Sequence, residues 1–234
     1  MIEVDAPAKL TVSLRVTGVR ADGYHLIDAE MVALDVGDRL EIDPDGDGLE
    51  IVGSVGTVVA DADNLVARAL RLAGRRAFVR VCKVIPPGAG LGGGSADAAA
   101  VLRWAGYRDL VGAASIGADV AFCLVGGRAR VGGIGEVVEP LPFVERTYTL
   151  AVPPFGCSTP AVYRQWDLMG GPAGEYGNDL EPAALVVEPR LAAVRDTLAK
   201  ATGRRPRLAG SGSTWFVEGA FPGPGRLVAR TRPA

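Results

Sequence analysis

The stretch PPGAGLGGGSADAAA, residues 86–100, holds five glycines between positions 88 and 94 and then continues as an alanine-rich helix former. Glycine inside regular structure costs about 0.5–1 kcal/mol relative to alanine, so such a cluster indicates a local requirement. The pattern predicts a glycine arch directly before a helix. We therefore expect a bound group to approach this backbone more closely than side chains would allow.

Two standard nucleotide-binding motifs do not fit this loop. Gly88, Gly90 and Gly93 satisfy G-x-G-x-x-G, but the dinucleotide fingerprint requires a tight turn straight out of a first strand, and Pro86 and Pro87 intervene. A P-loop requires Gly-Lys-Ser/Thr, and no lysine follows these glycines. Unpaired amides at a helix start can nevertheless bind phosphate without a basic side chain. The loop therefore predicts a phosphate site, with a backbone packing turn as the alternative.

Composition argues against several other classes of function. The 234 residues carry a net charge of -2, which predicts no basic footprint for nucleic acid or an anionic membrane. The three cysteines are far apart, which predicts neither a metal site nor a disulfide framework and fits a reducing cytoplasm. The start lacks a signal-peptide pattern, and no apolar run approaches the ~20 residues of a membrane span. We therefore expect a cytoplasmic protein whose partner is a small molecule.

Strand and helix signals follow one another in mixed order. Residues 27–43 read as two strands joined at DVGD (35–38), and residues 45–56 read as a further hairpin. Helical periodicity begins near Asp63, which can cap the first helix, and returns after the glycine loop. The mixture predicts an α+β fold rather than a doubly wound sheet. A soft boundary near residue 146 divides it into residues 1–146 and 147–234.

Seven short motifs occur in one order along nearly the whole chain. They are PAKL (7–10), RADGYH (20–25), DNL (63–65), GLGGGSADAA (90–99), GADVAF (117–122), NDLEPAA (178–184) and GSGST (210–214). Together they resemble the GHMP kinases and, within that superfamily, the 4-diphosphocytidyl-2-C-methyl-D-erythritol kinases. The resemblance implies a GHMP kinase fold: an N-terminal domain like one in ribosomal protein S5, which binds ATP, and a trimmed ferredoxin-like C-terminal domain. ATP and substrate would meet between them.

The resemblance implies that Lys9 and Asp119 are the catalytic pair. The ammonium of Lys9 would stabilise charge on the transferred phosphoryl group and keep Asp119 ionised. Asp119 would orient the acceptor hydroxyl and collect its proton late, because a loose phosphoryl-transfer transition state needs positioning more than basicity. Thr11 stands where the family commonly has asparagine. From the residues alone, Lys9 could be a solvated lysine at a strand entry and Asp119 a capping or ion-paired carboxylate.

The resemblance also assigns the glycine loop to the ATP phosphates and Asn64 and Lys83 to the purine side of ATP. A magnesium ion would bridge the phosphates, and no metal ligand from the protein is assigned. The implied ATP-binding residues are Asn64, Lys83, Pro86, Gly88, Gly90, Leu91, Gly92, Gly93, Gly94 and Ser95. Asn64 could instead begin a helix, and Lys83 could lie at a strand edge. Ser95 could bind a phosphate oxygen or a magnesium ion, or serve only as a helix cap.

The substrate residues implied by the resemblance form a cytosine pocket and a second glycine turn. Tyr24 would stack on the cytosine ring, His25 would bond its polar edge, and Tyr163 would cover its other face. Gly210, Ser211 and Gly212 would lie near the substrate phosphates. His25 could instead be a turn histidine that packs on Tyr24, and Tyr163 could be ordinary helix core.

The activity implied by the resemblance is ATP-dependent phosphorylation of the 2-hydroxyl of 4-diphosphocytidyl-2-C-methyl-D-erythritol (CDP-methylerythritol), in the methylerythritol route of isoprenoid precursor synthesis. Two alternatives remain open. A GHMP kinase of the same fold could act on another small alcohol, such as a sugar or homoserine. A weakened homologue could bind nucleotide without catalysis.

Overall fold

A computed structural model describes residues 1–53 and 60–234 of the chain. The strands of this part are β1 (Ile2–Val19), β2 (His25–Asp43), β3 (Gly48–Val52), β4 (Phe78–Cys82), β5 (Arg128–Gly133), β6 (Val137–Pro140), β7 (Thr147–Ala151), β8 (Arg207–Leu208), β9 (Trp215–Glu218) and β10 (Leu227–Arg230). Its helices are α1 (Leu65–Leu72), α2 (Gly93–Trp104), α3 (Leu110–Ile116), α4 (Val120–Val125), α5 (Thr159–Leu168), α6 (Glu181–Val187) and α7 (Leu191–Thr202). The mixed order confirms the predicted α+β class.

The strands form two sheets. The first has the order β3-β4-β2-β5-β6, with β1 paired antiparallel to β2, and the second has the order β10-β7-β9-β8. β3 runs parallel to β4, because the chain crosses between them through α1. The hairpin predicted over residues 45–56 is therefore wrong as far as residue 53, and its last three residues lie outside the described part.

The predicted break at 35–38 is also wrong, because β2 is a single long strand. Gly37 pairs with Pro7 of β1, and a Cβ at Gly37 would lie only 2.3 Å from the carbonyl oxygen of Ala6. The glycine therefore permits close approach of two strands rather than a turn. The β1 register shifts between Pro7 and Lys9, and such irregularities re-aim side chains near functional sites.

Apolar packing is continuous between the two sheets. Leu10 and Leu34 of the first sheet share a buried cluster with Tyr148, Leu150 and Phe216 of the second. We propose residue 146 as the boundary between two lobes, because it lies in the connection from β6 to β7. The shared core implies that the lobes hold a fixed relation around the site between them.

The predicted helix after the glycine loop is α2. The cap of α1 lies one residue later than predicted, because the side chain of Asn64, not Asp63, accepts a hydrogen bond from the Val66 amide at 2.9 Å. Among the described residues, none of the helices has the length and apolar character that crossing a membrane requires.

Candidate active site

The glycine loop adopts backbone conformations that side chains disfavour. Gly88, Gly90 and Gly92 have φ angles of 71°, 78° and 67°. α2 then begins without a side-chain cap, whereas side chains of Asn64 and Asp109 cap α1 and α3. The first-turn amides of α2 have no carbonyl partner in their own helix, so they remain available to an anion.

The glycine loop lies directly against the second glycine turn. A Cβ on Gly90 would lie 2.5 Å from the carbonyl oxygen of Gly212 and 2.8 Å from that of Ala209. The amide of Thr214 donates to the carbonyl oxygen of Ala89 at 3.0 Å. Two motifs separated by more than a hundred residues therefore form one backbone platform.

Asn178, in the NDLEPAA motif, holds the second turn in place. Its buried side-chain amide donates to the carbonyl oxygens of Leu208 and Gly210 at 2.9 Å and 2.7 Å. The hydroxyl groups of Ser211 and Thr159 lie 2.8 Å apart, which ties the turn to the start of α5. The motif thus has a supporting role that its sequence did not indicate.

Lys9 and Asp119 form an ion pair, with 3.1 Å between Nζ and Oδ2. The Lys9 ammonium also donates to the Thr11 hydroxyl at 3.1 Å, and its backbone amide donates to the Leu91 carbonyl at 2.9 Å. A Cβ on Gly92 would lie 2.7 Å from Lys9 Cγ, so this glycine leaves room for the lysine side chain. The glycine loop therefore positions the lysine as well as its own amides.

Asp119 directly precedes α4, at its N-cap position, but makes no capping hydrogen bond. Its side chain is 30% exposed, compared with 7% for Lys9, so the carboxylate is the more accessible partner of the pair. Gly135 lies close to Ala118, the residue before Asp119, because a Cβ on Gly135 would lie 2.3 Å from the carbonyl oxygen of Ala118. The Asp119 carboxylate is thus paired with Lys9 instead of capping α4.

One cavity of about 610 Å³ is lined by nine of the eighteen expected site residues. The expected residues that line it are Lys9, Tyr24, His25, Gly90, Ser95, Asp119, Tyr163, Gly210 and Ser211. Burial, together with the negative charge of Asp119, raises the pKa of the Tyr163 hydroxyl. The implied base pocket and the implied catalytic pair are therefore parts of a single site.

An aromatic corner forms one part of this cavity. The ring centroid of His25 lies 4.6 Å from that of Tyr163 and 5.6 Å from that of Trp166. His25 Nε2 lies 2.8 Å from Oδ1 of Asp167. The ring contacts of His25 are thus with α5. Its neighbour Tyr24 is 61% exposed and therefore accessible to a ligand.

Several expected ATP-binding residues do not line this cavity. Leu91 is fully buried, and its carbonyl oxygen accepts a hydrogen bond from the backbone amide of Lys9. Pro86 lines a separate apolar groove of about 820 Å³. Asn64 lies at the start of α1, where its neighbour Leu65 comes within 3.6 Å of a Cβ placed on Gly94. The α1 start and the glycine loop are therefore adjacent, and the ATP contacts of these residues stay predictions.

Lys83 is buried behind the loop between two carboxylates. Its ammonium donates to Asp97 Oδ2 at 2.8 Å and also to Asp38. The other oxygen of Asp38 accepts from the Val84 and Ile85 amides, which begin the loop. Lys83 thus supports the loop from inside, and this arrangement gives no direct support to its expected purine contact.

The Lys83 cluster carries one carboxylate more than it has cations. Burial raises the pKa of Asp97 to about 7, and the nearby charge of Asp38 adds to this, while Lys83 acts in the opposite direction. Burial lowers the pKa of Lys83, but the two carboxylates outweigh it and raise the pKa overall. Asp97 therefore takes up a proton near neutral pH, while Lys83 stays charged.

The raised pKa of Asp97 predicts a pH-dependent stability. An unfolded aspartate titrates near pH 4 and folded Asp97 near 7, so the folded chain binds about one proton more between these values. The free energy of unfolding should fall as pH rises from about 4 to 7. In urea unfolding at several pH values, Asp97→Asn should reduce the slope of the unfolding free energy against pH by the equivalent of about one bound proton. The same change at the exposed Asp196 should leave the slope unchanged. An unaltered slope in Asp97→Asn would contradict the assignment.

Sequence reasoning missed several residues that the structure brings to the site. Asp167 and Tyr163 are four residues apart on α5, a spacing that places them on one helix face. This spacing is the signal that could have found Asp167. Arg164 also lines the cavity and makes no ion pair within the described residues. Asp38 carried no local signal, since its partners lie 45 or more positions away.

Comparison with known proteins identifies the family of this chain. The family model for the GHMP kinases N terminal domain matches residues 64–127. A 4-diphosphocytidyl-2-C-methyl-D-erythritol kinase of Paracoccus denitrificans is 40% identical over 90% of this chain and 84% of its own. The chain belongs to this kinase family. Its relative of the same name in Cereibacter sphaeroides (strain ATCC 17025) is 38% identical over 98% of this chain and 93% of its own.

Solved structures place this kinase among GHMP folds. A crystal structure of 4-(cytidine 5'-diphospho)-2C-methyl-D-erythritol kinase covers all of both chains with a TM-score of 0.78 and 29% identity. Homoserine kinase from Cytophaga hutchinsonii covers 93% of this chain and 84% of its own with a TM-score of 0.58, and its 20% identity shows the fold alone. The GHMP kinase fold inferred from the motifs is confirmed.

Proposed function

We propose that this kinase transfers the γ-phosphoryl group of ATP to the 2-hydroxyl of CDP-methylerythritol, in the methylerythritol route to isoprenoid precursors. The observation that carries this proposal is the single cavity lined by both the Lys9–Asp119 pair and the Tyr24, His25 and Tyr163 rings. The names of its relatives support the same substrate. Within the described residues all three cysteines are free, which fits a cytoplasmic location.

In the proposed reaction Asp119 accepts a hydrogen bond from the attacking hydroxyl and takes its proton as the new P–O bond forms. An aspartate is a weak base for an alcohol, but a loose transition state lets the proton leave late. The Lys9 ammonium, held by Thr11, stabilises the negative charge on the transferred group. The pair therefore aligns the acceptor and neutralises charge.

The nucleotide phosphates are proposed to lie on the uncapped start of α2, where Ser95 adds a hydroxyl. Magnesium would be held mainly by those phosphates, since the described residues contain no cluster of three or more carboxylate, histidine or cysteine ligands. Ser95, an oxygen donor on the cavity wall, suits such a phosphate-borne ion, which would neutralise phosphate charge.

The cytidine is proposed to bind between Tyr24 and Tyr163, because two aromatic faces offer stacking worth about 1–3 kcal/mol per base. Arg164, one residue after Tyr163, is exposed at the cavity wall. We assign this guanidinium to the substrate diphosphate, since a planar fork of donors matches phosphate oxygens. Gly210 and Ser211 would contact the same part of the substrate.

An ADP-release assay with purified protein, ATP, magnesium and CDP-methylerythritol tests the proposal. We expect ADP formation that depends on the cytidine substrate, with a mass increase of one phosphoryl group in that substrate. Turnover of homoserine or a sugar in place of CDP-methylerythritol would instead favour the other-alcohol alternative. ATP binding without any turnover would favour the non-catalytic homologue.

His25→Ala should raise KM for CDP-methylerythritol about tenfold and leave KM for ATP within about twofold, because a lost polar contact to the base costs on the order of 1 kcal/mol. The change also removes the ring that packs on Tyr163 and Trp166. Steady-state kinetics with each substrate varied in turn provide the measurement. An unchanged KM for the cytidine substrate would remove His25 from the base pocket.

A further inference from the structure

The pair formed by His25 and Asp167 determines which nitrogen of the imidazole carries a proton. His25 Nε2 lies 2.8 Å from Asp167 Oδ1. An ionised carboxylate can only accept hydrogen bonds, so Nε2 must donate and therefore holds the proton. In the neutral ring, Nδ1 is then a hydrogen-bond acceptor.

The orientation of the ring is constrained from three sides. Tyr163 and Trp166 contact it at centroid distances of 4.6 Å and 5.6 Å, and Asp167 holds its Nε2 edge. All three residues belong to α5, so one rigid helix sets the position of the imidazole. In the described part of the chain, Nδ1 has no hydrogen-bond partner, although His25 lines the cavity.

We infer that Asp167 is a positioning residue for base selectivity, which it exerts by fixing the Nε2–H tautomer of His25. An Nδ1 acceptor matches the 4-amino group of cytosine, which donates hydrogen bonds. Uracil has a carbonyl oxygen at the same position. Because this oxygen and the bare Nδ1 are both hydrogen-bond acceptors, their lone pairs would repel each other. This inference rests on the proposed function and adds the atom that separates cytidine from uridine substrates.

Nuclear magnetic resonance tests the tautomer without any enzymatic turnover. His25 is the single histidine of the chain, so a long-range ¹H–¹⁵N spectrum of the imidazole reports on it alone. At about pH 8, above the ordinary imidazole range, we expect Nε2 to be protonated and Nδ1 bare. Asp167→Ala should shift both ¹⁵N signals toward the average of mixed tautomers. A protonated Nδ1 in the parent protein would overturn the inference.

Kinetics test the consequence for selectivity. The ratio of kcat/KM for CDP-methylerythritol to that for its uridine analogue should favour cytidine in the parent protein. Asp167→Ala should reduce this ratio about tenfold, the effect of about 1.4 kcal/mol, and Asp167→Glu should restore part of it. Asp196 is an exposed aspartate on α7, and Asp196→Ala is therefore the matched control. This variant should leave the ratio unchanged.

A purely structural role for Asp167 would lower both kcat/KM values by the same factor, and an unchanged ratio therefore contradicts the inference. A parent enzyme that prefers the uridine analogue contradicts it as well. Failure of the proposed function looks different, because the parent protein would then phosphorylate neither nucleotide while its imidazole spectrum still reported the tautomer.

Discussion

Asp119→Asn is expected to lower kcat about 1,000-fold while leaving the dissociation constant for ATP within about twofold. Asparagine keeps the size of the side chain but cannot take the proton of the attacking hydroxyl. Because Asp119 makes no capping hydrogen bond and is partly exposed, the loss should not come from the fold of α4. Steady-state kinetics and equilibrium ATP binding measure the two quantities.

The matched control is Asp109→Asn. Asp109 also precedes a short helix, but its side chain caps α3 by accepting from the Val111 amide at 3.0 Å. Asparagine caps equally well, so this variant should keep both kcat and stability. A comparable loss of kcat and ATP affinity in Asp119→Asn, with a lowered Tm, would assign Asp119 a structural role instead.

Gly90→Ala is expected to lower the free energy of unfolding by about 3 kcal/mol or more. A left-handed residue with a Cβ costs about 1–2 kcal/mol, and crowding in a packed site adds about 1–3 kcal/mol. The crowding arises because the new Cβ would lie 2.5 Å from the Gly212 carbonyl oxygen. The two loops would have to separate, so KM for ATP should also rise about tenfold in the folded fraction.

Gly106→Ala separates conformational strain from crowding. Gly106 has a φ of 73°, close to the 78° of Gly90, but a Cβ there would meet nothing within 4 Å. Its cost in urea unfolding should therefore be limited to about 1–2 kcal/mol, with unchanged kinetics. Equal losses of stability in the two variants would show that contact with the second turn does not matter.

Local patterns predicted those elements whose cause lies within a few residues. The alanine-rich segment after the loop is helix α2, and the mixed order of strands and helices is the observed α+β fold. The predictions failed where a distant partner decided the outcome. Gly37 looked like a turn, but its close neighbour is Ala6 on another strand. The place of Lys83 at the end of a strand was predictable locally, but its enclosure by Asp38 and Asp97 was not.

The sequence by itself determined the kinase family and the glycine-rich loop, because ordered motifs and local backbone requirements lie in contiguous residues. Only the tertiary structure decided that Lys9 meets Asp119, that the loop rests on the turn at Gly212, and that Asp167 orients His25. Each of these contacts joins residues more than a hundred positions apart. They depend on how sheets and helices pack, and this packing leaves no periodic signal along the chain.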